Sequence, residues 1–227
     1  MGLFLDSGNI EIVKQYHAMG IIRGVTTNPT LLVKEGLAKN MRDVRKRIIE
    51  IAEWIAPFPV SVEVTSNKQG PMLKQSLEFS GWAENINVKV PIHGPQGELE
   101  NLKFIHELET KRNIRVNVTA MMSAQQCFLA AMAGASYVSI FCGRVNDMGY
   151  DASNELRRLR GLLTQFNLPA QIIAASSREA LNVLQWFEAG AHIVTVLPAL
   201  VPKMLIHPYT KETVAQFIHD GAKLQKQ

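Results

Sequence analysis

A chain of 227 residues, 47% hydrophobic and 19% charged, has room for one sizeable core and the composition of an ordinary soluble domain. Its net charge of +4 suits an anionic ligand, but the basic residues are dispersed and aromatics make up only 7%, which argues against a nucleic-acid surface. Only Cys127 and Cys142 are present, with no CxxC spacing, so neither a disulfide framework nor a metal cluster is indicated and a reducing compartment fits.

The opening "MGLFLDSGN" lacks a basic n-region and meets Asp6 at once, so it does not read as a signal peptide. Apolar runs such as "IVTVLPALVPKMLI" are interrupted by Pro and Lys before they reach membrane-spanning length. The expectation is a cytoplasmic protein without a membrane or nucleic-acid partner.

In chain order, β-rich runs occur at 2–6 (GLFLD), 24–28 (GVTTN), 60–65 (VSVEVT), 86–91 (INVKVP), 114–120 (IRVNVTA), 137–141 (YVSIF), 171–176 (QIIAAS) and 193–198 (IVTVLP). Helical spacing marks 10–20, 41–56, 69–82, 99–112, 123–134 and 178–190 between them, and the basic runs "RDVRKR" and "RRLRG" read as solvated helix faces. Gly20, Gly134 and Gly190 stand where helices should stop, and Ser123 with Gln126 forms a candidate capping box. Eight strands alternating with helices predict the α/β class and a single (β/α)8 TIM barrel over 1–227. An open doubly wound sheet is the alternative, but no strand is followed by GxGxxG or GxxxxGK[ST]. The segment after the last strand exceeds one helix, and Pro208 and Thr210 predict a break and a C-terminal helical extension from about 208, suited to docking on a partner subunit.

Side chains alternate along a strand, so Val60, Val62 and Val64 oppose Ser61, Glu63 and Thr65; Val88 and Val90 oppose Asn87 and Lys89; Val116 and Val118 oppose Arg115, Asn117 and Thr119. The valines belong against helices, which sends the polar set into the barrel. That interior would hold Asp6, Thr26, Asn28, Glu63, Lys89, Asn117, Thr119, Ser139 and Ser176, near the strand C-termini where barrel enzymes carry their sites. Each unpaired buried polar group costs on the order of 1 to 3 kcal/mol, which is too much polarity for packing alone.

Burial or a nearby cation favours the neutral form of a lysine, a nucleophile toward carbonyl carbon, so Lys89 suggests Schiff-base chemistry. Such chemistry needs proton-transfer groups, and Glu63 and Asp6 are the acidic candidates; Asn28, Asn117 and Ser139 could hold substrate hydroxyls. Arg144 in "IFCGRVND", with Ser176 and Arg178 between a strand and a helix N-terminus, suggests a phosphate site. The residues therefore read as a Schiff-base lyase or transferase acting on a phosphorylated carbonyl compound.

The motifs "FLDSGN", "GVTTNPTLL", "VSVEV", "NVKVP", "RVNVTAMMSAQQ", "YVSIFCGRVNDMG" and "IIAASSRE" run nearly end to end, and by them the sequence resembles the small transaldolase family, which includes fructose-6-phosphate aldolase. The resemblance implies that Lys89 forms the Schiff base, that Asp6 is the acid/base at the cleaved bond, and that Glu63 acts through a water with Thr119. It further implies that Asn28 and Asn117, with Thr26, Ser139 and Phe141 nearby, bind the dihydroxyacetone portion, and that Arg144, Ser176 and Arg178 bind phosphate. The implied reaction passes a dihydroxyacetone unit from fructose 6-phosphate or sedoheptulose 7-phosphate to erythrose 4-phosphate or glyceraldehyde 3-phosphate, with no metal or organic cofactor. Members acting as aldolases carry Gln where Glu63 stands and Tyr where Phe141 stands, so the resemblance points to transfer over simple cleavage. Gly8 and Cys142 depart from the usual Ala and small apolar residue. The family commonly forms rings of five that pair into decamers, so the resemblance implies a homo-oligomer, pentamer or decamer.

Overall fold

The structure, a computed structural model, describes residues 2–36 and 38–224; Met1, Leu37 and the last three residues of the expected C-terminal extension lie outside the described residues. Eight parallel strands, β1 (Gly2–Asp6), β2 (Val25–Thr26), β3 (Val60–Glu63), β4 (Ile86–Pro91), β5 (Val116–Met121), β6 (Tyr137–Ile140), β7 (Gln171–Ala174) and β8 (Ile193–Val196), close in sequence order into a barrel. The (β/α)8 expectation is therefore met and the open sheet excluded: β8 pairs with β1 from Gly2 opposite Ile193 to Leu5 opposite Val196.

Around the barrel run α1 (Ile10–Ala18), α2 (Pro29–Lys34), α3 (Met41–Ile55), α4 (Gln69–Ser80), α5 (Glu100–Lys111), α6 (Ala124–Met132), α7 (Cys142–Asp147), α8 (Ala152–Gln165) and α9 (Ala180–Glu188). Polar caps set their starts. Asn9 Oδ1 accepts the N–H of Glu11 at 3.0 Å, and Asn28 Oδ1 accepts that of Leu31 at 2.9 Å with Pro29 at the first helical position. The stops at Gly20, Gly134 and Gly190 are as expected, with φ of 71°, 98° and 104°. The Ser123–Gln126 box is half formed: Ser123 Oγ accepts the Gln126 N–H at 3.3 Å, but Gln126 Oε1 takes the N–H of Met122, at 2.7 Å, instead of that of Ser123.

The alternation along the strands governs packing. Val60, Val62, Val88, Val90, Val116 and Val118 are buried with Ile48, Ile51, Ala52 and Ile55 of α3 in the main apolar core between strands and helices. Inside the barrel, Phe4, Tyr137, Ile173 and Ile193 form a separate apolar cluster. Phe4 lies across Gly24, where an added Cβ would come within 2.5 Å of the ring. These four residues floor the barrel two positions before Asp6, Ser139, Ala175 and Thr195 on the same strand faces.

Arg115 departs from expectation. It precedes the first residue of β5, is exposed, and donates to the Glu84 carbonyl at 3.0 Å, so the strand alternation does not reach it. After β8, a 3-10 turn (Pro198–Leu200) and α10 (Val201–Leu205) lead to α11 (Pro208–Leu224), which starts at the predicted break. No residue of α11 is buried, and Val214, Phe217, Ile218 and Leu224 lie exposed along it. No helix among the described residues is long and apolar enough to cross a membrane.

Candidate active site

Strand register brings the inner-face residues together. Asp6 lies opposite Thr26, Glu63 opposite Lys89, and Lys89 opposite Asn117. Neighbouring strands stand about 4.8 Å apart, so side chains on one face of such partners meet directly. Lys89 is 5% exposed; its Nζ lies 3.0 Å from Glu63 Oε2 and 3.3 Å from the Thr27 carbonyl. Contact between Lys89 and Glu63 is thus direct. Two acceptors around a buried ammonium offset much of its desolvation, and the carboxylate is within reach of its proton.

Asp6 ends β1, and its Oδ1 accepts from Thr26 Oγ1 at 2.8 Å. Burial pushes its carboxyl above the ordinary aspartate range; the charge of Lys89 and the Thr26 hydrogen bond oppose that, while Glu35 and Glu63 reinforce it. The departure at Gly8 does not leave the following loop untied, because the Gly8 N–H donates to Glu35 Oε2 at 3.3 Å. Thr26, expected to bind substrate, has its hydroxyl engaged between Asp6 and Thr195, 2.6 Å from Thr195 Oγ1.

One layer deeper, Asn117 Oδ1 accepts from Ser139 Oγ at 2.7 Å, and its Nδ2 donates to Ser61 Oγ at 3.0 Å. Asn117 and Thr119 are fully buried, and the Thr119 hydroxyl has no hydrogen-bond partner among the described residues. Neither lines the cavity that opens above.

That cavity, of about 420 Å3, is walled by Asp6, Thr26, Asn28, Glu63, Lys89, Ser139, Phe141, Arg144, Ser176 and Arg178, with Lys34, Ser177, Thr195 and Leu197 among its other walls. Ten of the twelve expected site residues therefore share one space. Asn28 spends Oδ1 on capping α2, which leaves its NH2 group for a ligand. Both thiols are buried, and burial raises the Cys127 and Cys142 pKa values well above the ordinary range, so neither is a thiolate nucleophile.

The far rim carries the cations. The Arg144 guanidinium lies over the Phe141 ring, 5.2 Å from its centre, and Arg178 Nη2 pairs with Asp147 Oδ2 at 2.8 Å. Ser176 adopts φ 65° after β7, and its carbonyl oxygen would stand 1.7 Å from a Cβ added at Gly143, so only glycine lets the first turn of α7 touch the loop after β7. Just before α9, Asn182 Oδ1 takes the N–H groups of Arg178, at 3.2 Å, and Glu179, at 3.0 Å. The two guanidinium groups and Ser176 line the cavity on this rim, where their donors could hold an anion.

Thr195 and Lys34 were not singled out from the sequence. Thr195 obeys the rule that exposed Lys89, a polar residue between two valines, in "VTV" as in "VKV". Lys34 sits on a helix too short to show a periodic signal.

The family model described as Transaldolase/Fructose-6-phosphate aldolase matches residues 3–227. A probable transaldolase of Desulforudis audaxviator (strain MP104C) is 40% identical over 226 residues, covering 100% of both chains. Probable transaldolases of Dehalococcoides mccartyi (strain ATCC BAA-2266 / KCTC 15142 / 195), 36% identical over 226 residues and 100% of both chains, and Moorella thermoacetica (strain ATCC 39073 / JCM 9320), 38% over 225 residues and 99% of both, are similar throughout.

Proposed function

The chain belongs to the transaldolase/fructose-6-phosphate aldolase family, and from that premise we propose that it transfers a dihydroxyacetone unit between sugar phosphates through a Schiff base on Lys89. The observation that carries the reading is the 3.0 Å contact of a buried lysine with Glu63 in a cavity that also holds Asp6 and two arginines.

In the proposed cycle Lys89 passes a proton to Glu63, and the amine attacks C2 of sedoheptulose 7-phosphate or fructose 6-phosphate to give a carbinolamine. Glu63 returns the proton to the departing hydroxyl, water leaves, and an iminium remains. Asp6 takes the proton of the C4 hydroxyl while the C3–C4 bonding electrons move into the iminium, releasing erythrose 4-phosphate or glyceraldehyde 3-phosphate and leaving an enamine. The enamine carbon then attacks the aldehyde of the acceptor aldose phosphate, Asp6 returns its proton to the new hydroxyl, and water frees the product from Lys89. Asn28 and Ser139 bind the dihydroxyacetone hydroxyls, Asn117 holds Ser139 from below at 2.7 Å, Thr119 assists Glu63 in the proton transfers at Lys89, and Arg144, Arg178 and Ser176 hold the phosphate.

A burial that raises the carboxyl pKa suits Asp6 to both directions of proton transfer, because it makes the group a better base than a free aspartate while keeping it an acid. Trapping with fructose 6-phosphate and borohydride should leave one adduct, on Lys89; an adduct that survives Lys89→Ala would reject the assignment. A second reading, net aldolase, predicts free dihydroxyacetone without any acceptor. Phe141 favours transfer, since its ring has no hydroxyl and is covered by Arg144.

We read the chain as one barrel domain acting in the cytoplasm as a homo-oligomer, a pentamer or decamer. The apolar residues exposed on α11 support that assembly, and a monomeric solution mass would reject it.

A further inference from the structure

Thr195 stands on β8 between Val194 and Val196, opposite Phe4 of β1, and is 3% exposed. Its hydroxyl oxygen is 2.6 Å from that of Thr26, which in turn is 2.8 Å from Asp6 Oδ1. Each hydroxyl has one hydrogen to donate, and an ionised carboxylate only accepts. When Asp6 is ionised, the Thr26 hydrogen points to Oδ1, and the contact between the two threonines then requires Thr195 to be the donor. The reverse order would turn the Thr195 hydrogen away from Thr26, and among the described residues its hydroxyl has no second hydrogen-bond partner. With Asp6 ionised, the chain therefore runs one way, from Thr195 through Thr26 to Asp6.

We propose that Thr195 is a positioning residue for the acid/base carboxyl, which holds Thr26 as a donor to Oδ1 and leaves Oδ2 as the oxygen that takes and returns the substrate hydroxyl proton. The proposal rests on the reading of Asp6 as the acid/base of the transfer reaction. Without Thr195 the Thr26 hydroxyl can turn and accept from a protonated Oδ1, so the proton is stored on the oxygen that does not serve the substrate. Each donor in a chain also polarises the next, so losing Thr195 weakens the hydrogen bond that favours ionised Asp6. The carboxyl pKa then rises further, and the acid limb of donor cleavage moves to higher pH.

The experiment compares Thr195→Val, which keeps the branched shape, with Thr195→Ser, which keeps the hydroxyl; Thr195→Ala replaces Thr195→Val if the latter does not fold. The hydroxyl-free variant should still trap fructose 6-phosphate on Lys89 with borohydride, because Asp6 takes no part in forming the imine. Its kcat should fall about tenfold, and the acid limb of its kcat/KM profile should rise by about half a pH unit. Thr195→Ser should restore both. An unshifted profile in the hydroxyl-free variant, failure of Thr195→Ser to restore it, or loss of imine trapping specific to the hydroxyl-free variant would overturn the proposal. A wild-type protein that traps nothing on Lys89 would instead overturn the Schiff-base reading.

Discussion

The two halves of the barrel interior are built by the same strands, yet they follow opposite rules. Below, Phe4, Tyr137, Ile173 and Ile193 fill the space with apolar volume and no ionisable group other than a phenol. Above, two residues further along the same faces, Asp6, Ser139 and Thr195 join Glu63 and Lys89 around an open cavity. The floor gains free energy from close packing, whereas the mouth holds a buried Lys89 and half-buried Asp6 and Glu63 at the cost of their desolvation. A step of two residues along a strand thus separates what stabilises the molecule from what would do its chemistry.

Breaking the mouth should abolish turnover and spare the fold. Asp6→Asn should lower kcat by about 10^2 to 10^4-fold, the range attributed to a general acid/base, with borohydride trapping on Lys89 retained. The same variant sharpens the contrast through pH. The folded-state pKa of Asp6 is raised, so the native state binds its proton more tightly than the unfolded chain, and stability falls as pH rises through that pKa. Thermal melts should show Asp6→Asn gaining on the wild type as pH is raised from about 4, near the free aspartate pKa, towards 7. No relative gain would mean that burial does not strain this carboxyl.

Breaking the floor should do the reverse. Phe4→Ala removes the ring that spans Gly24 and should cost about 3 to 5 kcal/mol in denaturant unfolding. The folded fraction should still form the Lys89 adduct at an unchanged extent per folded molecule; a proportionate loss of chemistry would show that floor and mouth are one functional unit.

The smallest effect belongs to the rim between them. Phe141→Tyr adds a phenol under the Arg144 guanidinium, and the ratio of free dihydroxyacetone released to dihydroxyacetone transferred should rise by a few-fold, on the order of one added hydrogen-bonding proton donor. An unchanged ratio would remove this position from the choice between transfer and cleavage.

Much of this division was legible in the chain. Isolated polar residues between valines, as at Lys89 and Asn117, marked both the inner face and the strand, because a parallel strand covered by helices must bury its other side. Thr195 carries the same mark, but threonine is itself a good strand former, so its polarity marks an inner face less sharply than an ammonium does. The floor was less readable, since Phe4, Ile173 and Ile193 are apolar and could face either side; only the register with Asp6 and Thr195 assigns them inward. Helices α2 and α7, six residues each, are too short to reveal a period, and α8 showed only through its basic run. The arginines of the rim stood out in the chain, whereas the hold of Asn182 on the Arg178 and Glu179 amides just before α9 is a side-chain contact that spacing does not disclose.

The touch between Gly143 and the Ser176 carbonyl has a bearing on how this barrel can change. Arg144 follows Gly143 directly in α7 and Arg178 stands two residues after Ser176, so the placement of the two cations is linked through this contact. A library that diversifies either segment to admit a larger or uncharged acceptor would have to hold position 143 invariant, and insertions on one side would carry the opposite arginine along. New acceptor preferences should accordingly arise through paired changes in both segments, and single-segment variants should fall out of selection early.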